Sequence, residues 1–251
     1  MGKRGSAYYL FILLFIVAFV TVVGVLYNPT VTGNVVLDPN TIPPVQNAYT
    51  IQHELAQQIV PSVNRRVFVV PHSGNEAAAQ ALVTPRHFFP NGFSADVSES
   101  VIPQLESLGS VSPVTIYIPA PVPSIPSGSA TPGVVSIAVL DTGVNPELSI
   151  PCKDFTHGPQ VVEHCTDSNG HGTQVVSAIH AALGDTVSLS VAQVCTADQC
   201  SVDDIAAAIA NARSNKVQII VMALQGESTP LLDDAIAQAT QTGIIVLMSN
   251  N

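Results

Sequence analysis

Between Val134 and Met248 the chain alternates short apolar runs with stretches that repeat at helical spacing. Val134 to Leu140, Val187 to Val194, Val217 to Leu224 and Ile244 to Met248 read as strands. His171 to Leu183, Ser201 to Ser214 and Leu231 to Thr240 read as the helices between them. Parallel strands need a crossover connection, and a helix supplies one while covering a face of the sheet. Strands this apolar belong inside such a covered sheet. The expected fold class is therefore α/β, a parallel sheet with helices on both faces.

In open sheets of this kind, reactive groups gather beyond the carboxyl ends of the strands. Val139-Leu140-Asp141-Thr142-Gly143 places a carboxylate there, although an Asp before Gly also marks an ordinary turn. Asp167-Ser168-Asn169-Gly170-His171-Gly172-Thr173 follows, a glycine-flanked loop entering a helix with His171 in its first turn. The partial positive charge of a helix N-terminus lowers an imidazole pKa, so a neutral ring able to accept a proton is expected. Asp141, bonded to the other ring nitrogen, would fix the tautomer and stabilise the imidazolium formed during reaction.

The order of motifs extends further. Met222-Ala223-Leu224-Gln225-Gly226 ends one strand, and Ser249-Asn250-Asn251 follows another. Together with Asp-Thr-Gly and Gly-His-Gly-Thr, this series resembles the subtilisin-like serine proteases. The resemblance implies Ser-His-Asp acyl transfer with Asp141 and His171 catalytic. It makes Ala223, Leu224 and Gln225 the edge that pairs with an extended peptide. It makes Asn251 the oxyanion-hole side chain, or Asn250 after a one-residue slip.

Gln225 stands where the family has Gly, a departure expected to narrow the specificity pocket or disturb the turn. Gln174 and Ser177 also depart, and Ser177 is expected to loosen helix packing. No cofactor is expected; calcium is frequent in the family, but no ligands can be assigned. The family's nucleophile lies in a Gly-Thr-Ser motif opening a helix, and the 251 residues contain no such motif. Gly128-Ser129-Ala130 precedes a strand and is a poor substitute. Two readings follow: a fragment of a serine endopeptidase precursor, or an inactive, membrane-tethered peptide-binding protein.

Upstream, residues 65–119 show a β-α-β-β-α-β order. Arg66 to Val70 is a strand, Asn75 to Leu82 a helix, and Arg86 to Val97 two strands around Pro90-Asn91-Gly92. A helix from Glu99 to Leu108 is expected to be capped by Ser98 and ended by Gly109, and Val114 to Ile118 is the last strand. Nothing here gathers catalytic groups, and its polar spots, Pro71-His72-Ser73 included, read as solvated loops. The resemblance identifies this ferredoxin-like α+β unit as the family's inhibitory propeptide. It also makes the Pro-, Ser- and Gly-rich segment 120–133 the linker where processing occurs. Residues 134–251 are then the N-terminal part of the catalytic domain, with an incomplete sheet.

Residues 28–64 read as a stalk, with Ile51, Leu55 and Ile59 marking a short amphipathic helix. Residues 7–27 carry no charge and are long enough to cross the ~30 Å hydrocarbon core as a transmembrane helix. Lys3 and Arg4 in the tail 1–6 place the N-terminus in the cytoplasm and everything after Tyr27 outside. The alternative, a cleaved signal peptide and a secreted protein, requires a shorter apolar run and a clear small-residue cleavage site.

Cys152, Cys165, Cys195 and Cys200 all fall on that outer side, where thiols pair. Proximity suggests Cys152 with Cys165 and Cys195 with Cys200, among three possible connectivities. Zinc held by Cys152, His157, His164 and Cys165 is disfavoured, because adjacent His164 and Cys165 converge poorly on one tetrahedral ion. No metal site is expected. Eighteen Asp and Glu against eight Lys and Arg give a net charge of -10, which argues against nucleic-acid partners. The expected partners are protein or peptide substrates, the chain's own propeptide and the membrane.

Overall fold

The computed structural model describes residues 64–122 and 134–249. The segments expected as cytoplasmic tail, anchor and linker (the last from residue 123 on), nearly all of the expected stalk, and Asn250 and Asn251 lie outside the described residues. Among the described residues no helix is long and apolar enough to cross a membrane.

The first part comprises β1 (Asn64–Pro71), α1 (Glu76–Ala81), β2 (Pro85–Phe89), β3 (Gly92–Ser98), α2 (Ile102–Leu108) and β4 (Gly109–Pro113). Its antiparallel sheet has the order β2-β3-β1-β4, the arrangement of two interleaved β-α-β halves. Val67, Val69, Phe93, Ala95 and Val97 pack with Ala79 of α1 and Leu105 of α2 into one small core.

Two local expectations are corrected here. Ser98 is not the cap: α2 begins at Ile102, because Pro103 lacks an N–H and fits only the first turn. The fourth strand is Gly109–Pro113, not Val114 to Ile118. Gly109 is extended and pairs with Pro71 instead of turning the chain away. The next strand, β5 (Ile116–Pro119), leaves this sheet altogether.

The second part follows the expected alternation. It contains β6 (Val135–Asp141), β7 (Cys152–Asp154), α3 (His171–Leu183), β8 (Val187–Gln193), β9 (Cys195–Thr196), β10 (Gln199–Ser201) and α4 (Val202–Ser214). β11 (Ile219–Met222), β12 (Leu224–Gln225), α5 (Pro230–Gln241) and β13 (Ile245–Met248) complete it. The run expected as one strand from Val217 to Leu224 is thus two, separated at Ala223. The parallel sheet has the order β13-β11-β6-β8-β7.

Its central strand explains the apolar pattern. Ile137 and Val139 of β6 pack with Val175, Val176 and Ile179 of α3 on one face. Ala138 and Leu140 pack with Ile205 and Ile209 of α4 and Leu232 of α5 on the other. Both faces are covered, so alternate residues are apolar on each, and each buried aliphatic side chain contributes about 1.5–3 kcal/mol. Thr229 caps α5, its hydroxyl accepting from Leu232 N at 3.3 Å, and Pro230 opens the helix.

Candidate active site

β6 ends at Asp141, where the sheet order reverses between β8 and β11, and the N-terminus of α3 faces it. The approach is close because Gly172 has no side chain: a Cβ there would lie 2.2 Å from Gly143 O and 3.1 Å from Asp141 Cβ. His171, one residue earlier, therefore points its Nδ1 at Asp141 Oδ1 over 2.7 Å. Asp141 is fully buried, and its Oδ1 also accepts from Thr142 N at 2.7 Å.

On the other side of the ring, His171 Nε2 lies 2.6 Å from the carbonyl oxygen of Ala120. A carboxylate and a carbonyl only accept, so both ring nitrogens donate and the ring is held as the imidazolium. The His171 pKa is raised, chiefly by the hydrogen bond to Asp141; burial opposes this, and the Asp141 charge and the Ala120 carbonyl add to it. This corrects the expectation of a ring kept neutral by the helix dipole. A buried carboxylate in direct contact outweighs the partial charge of a helix end.

Asp167, in the loop before His171, is a further residue of the site that the motif alone does not mark out. Its Oδ1 accepts from Thr142 Oγ1 at 2.8 Å and Gly170 N at 2.7 Å, and its Oδ2 from Thr173 N at 2.7 Å and Thr173 Oγ1 at 2.6 Å. It thereby ties the residue after Asp141 to both sides of His171. Burial pushes its pKa up, but these four donors prevail and hold it below the usual carboxylate range. Replacing Asp167 by Ala strands four donors and is expected to cost about 2–4 kcal/mol, read by urea unfolding. The readable signal is an Asp just ahead of a Gly-containing loop, a residue type whose side chain readily bonds nearby backbone N–H groups.

β5 forms the middle of a second antiparallel sheet of order β12-β5-β10-β9. Ile118 pairs with Gln225, Pro119 with Leu224, Tyr117 with Cys200 and Ile116 with Ser201. Ala120 N donates to Ala223 O at 2.8 Å and Val202 N to Thr115 O at 3.0 Å, so the backbone is held from both sides up to His171. Tyr117 is buried and its hydroxyl donates to Glu227 O at 2.7 Å. Its ring lies on Gly226, where a Cβ would come within 2.6 Å of it. Leu224 and Gln225 thus pair with Pro119 and Ile118, and Ala223 O accepts from Ala120 N, all within the chain's own segment. Gln225 leaves that ladder intact.

Ser177 is exposed and its hydroxyl donates to Thr173 O at 2.7 Å, so it does not loosen α3 against the sheet. Cys152 is bonded to Cys165 and Cys195 to Cys200, which leaves no thiolate for zinc. The second disulfide closes the β9–β10 hairpin that flanks β5. Asn251 and its alternative Asn250 lie outside the described residues. Ser249, just before them, donates from Oγ to Leu224 O at 2.6 Å, which ties the end of β13 to β12.

Residues 133–250 match the model of the Subtilase family, Peptidase S8. The fold is also that of solved subtilisin-like proteases. Fervidolysin from Fervidobacterium pennivorans, a keratinolytic enzyme related to subtilisin, superposes with a TM-score of 0.56 at 14% identity. The epidermin leader peptide processing serine protease EpiP from Staphylococcus aureus gives 0.54, also at 14% identity. The matches cover 75% and 74% of this chain but only 40% and 60% of those two chains. Curated proteins give no match to the chain.

Proposed function

We propose that the chain is the N-terminal part of a subtilisin-like serine endopeptidase precursor, anchored by residues 7–27 with its C-terminal region outside the cell. Residues 65–119 act as the inhibitory propeptide, and processing falls in the segment 120–133. The observation that carries this reading is the Ala120 carbonyl seated on His171 Nε2, with β5 threaded between β10 and β12. A ring already donating from both nitrogens has no lone pair to accept another proton, so the segment blocks the site as well as filling it.

With a substrate peptide in place of residues 116–120, the scissile carbonyl would lie near His171. A serine beyond Asn251 would attack the carbonyl carbon, and His171 Nε2 would take its proton. The same nitrogen would then deliver that proton to the departing amine, leaving an acyl-enzyme for water to hydrolyse by the same route. Asp141 orients the ring and stabilises the imidazolium throughout. Asn251 is assigned to the oxyanion.

The test is to express the gene through its natural stop codon and treat the protein with a fluorophosphonate. Acylation of a serine beyond Asn251 that is lost in His171→Ala supports the reading. Peptide binding without acylation would instead establish the inactive binding protein, the reading that the departure at Gln225 favours.

A further inference from the structure

At the upstream end of the same groove, the first sheet meets α4 through charge. Asp203 and Asp204 stand in the first turn of α4 and are 0% and 2% exposed. Arg66 of β1 and Arg86 of β2 each span both carboxyl groups. Arg66 Nη1 lies 2.9 Å from Asp204 Oδ2 and 3.6 Å from Asp203 Oδ1. Arg86 Nη2 lies 3.3 Å from Asp204 Oδ1, and its Nε 3.7 Å from Asp203 Oδ2. Each of the four oxygens thus faces a guanidinium nitrogen. His87 Nε2 adds a bond to Asp204 Oδ1 at 2.8 Å, and Asp96 pairs with both arginines from the exposed side.

Asp203 is nonetheless buried with both oxygens lacking a hydrogen bond. Burial beside Asp204 raises its pKa, as expected for a carboxyl group whose charge is not fully compensated. The donor atoms of His87, Asp203 and Asp204 lie close enough together to hold a metal ion. Two guanidinium groups already occupy that space, and a divalent ion there would be repelled by both. The chemistry that fits is planar, cationic and forked: an arginine side chain, not a lysine, whose compact ammonium cannot span both carboxylates in the same way.

The pair is also in line with the groove. Val202 N bonds Thr115 O, and Asp203 is the next residue. Val114 N donates to the backbone oxygen of Arg66 at 3.1 Å, so a residue at the place of Val114 starts about one strand spacing, ~4.8 Å, from the backbone that now delivers the guanidinium. Val114 packs against the core cluster that contains Val202 and Ile205 of α4.

We propose that Asp203 and Asp204 form a guanidinium-selective subsite of the peptide groove. Arg66 and Arg86 fill it within the chain, and an arginine at the position of Val114 engages it when a separate peptide replaces the chain's own segment. This rests on the reading of the groove as a peptide site.

The experiment uses the full chain with Arg66→Ala, Arg86→Ala and Tyr117→Ala, changes that empty the subsite and loosen the segment from the groove. Fluorescein-labelled Arg-Thr-Ile-Tyr-Ile-Pro-Ala and its versions beginning with Lys or Ala are titrated by anisotropy. The Arg peptide is expected to bind about tenfold tighter than the Ala peptide and severalfold tighter than the Lys peptide. Adding Asp204→Asn is expected to bring it down to the affinity of the Ala peptide. Equal affinities overturn the subsite and leave the groove standing; no binding by any peptide overturns the groove and the subsite with it. Should the triple variant not fold, Arg86→Ala alone is heated with N-ethylguanidinium or ethylammonium. A saturable rise in Tm with the first only supports the subsite, and equal effects overturn it.

Discussion

Replacing Tyr117 by Ala is expected to release the segment from Ile116 to Ala120 and to be the most destabilising single change among the described groove contacts. The ring is buried against Gly226 and its hydroxyl is bonded to Glu227 O, so truncation removes apolar burial, leaves a cavity and strands a carbonyl. The expected cost is about 3–5 kcal/mol, against about 1 kcal/mol for Tyr117→Phe, which loses only the hydrogen bond. Amide exchange gives the local reading. In the Ala variant the ladder from Cys200 to Gln225 around β5 should lose protection while Val139 and Leu140 in β6 keep theirs. Unchanged exchange at Cys200 and Gln225 would show that Tyr117 does not anchor the segment.

Asp141→Asn carries the second large effect, on chemistry more than on folding. The carboxylate that stabilises the imidazolium is replaced by a neutral amide of nearly the same shape. Under the proposed function, peptide cleavage by the intact protein is expected to fall about 10⁴-fold in kcat, with KM little changed. The pH dependence of stability should change with it. A histidine whose pKa is raised on folding adds stability that is fully present below its unfolded value of about 6.5. That stability disappears as the pH rises through the folded value. Urea unfolding from pH 5 to 9 should therefore show His171-dependent stability that declines as the pH rises past about 6.5 and through the folded value in the parent chain, and a flatter profile in Asp141→Asn.

The parallel sheet was legible because its period is written twice over. Ile137 and Val139 face one helix layer while Ala138 and Leu140 face the other, so β6 is apolar along its length. The bounds of α3, from His171 to Leu183, were readable from Gly170 before it and Gly184 after it. Asp141 and His171 were readable as a pair because the motifs sit at the end of a strand and the start of a helix, which the sheet brings together.

The groove occupant was less legible, for a physical reason. Nothing local distinguishes a strand that pairs with β1 from one that pairs with β12, since pairing partner is a long-range choice. Val114 to Ile118 completes a β-α-β-β-α-β order in the sequence, whereas Gly109–Pro113 takes that place in the sheet and frees β5 for the groove. Asp203 and Asp204 look like ordinary first-turn acids that complement a helix dipole. Their pairing with Arg66 and Arg86, more than a hundred residues away, is a tertiary fact. So is the burial of His87, which the sequence pattern places only within a strand pair.

The most direct measurement is a nitrogen-15 NMR titration of the His171 ring in the unmodified chain. The account predicts protons on both Nδ1 and Nε2 at neutral pH, an apparent pKa above 6.5, and a fall in that pKa when Tyr117→Ala removes the Ala120 carbonyl. A ring that is neutral at pH 7, with a pKa at or below 6.5 and no response to Tyr117→Ala, would contradict both the Asp141–His171 couple and the blocked groove.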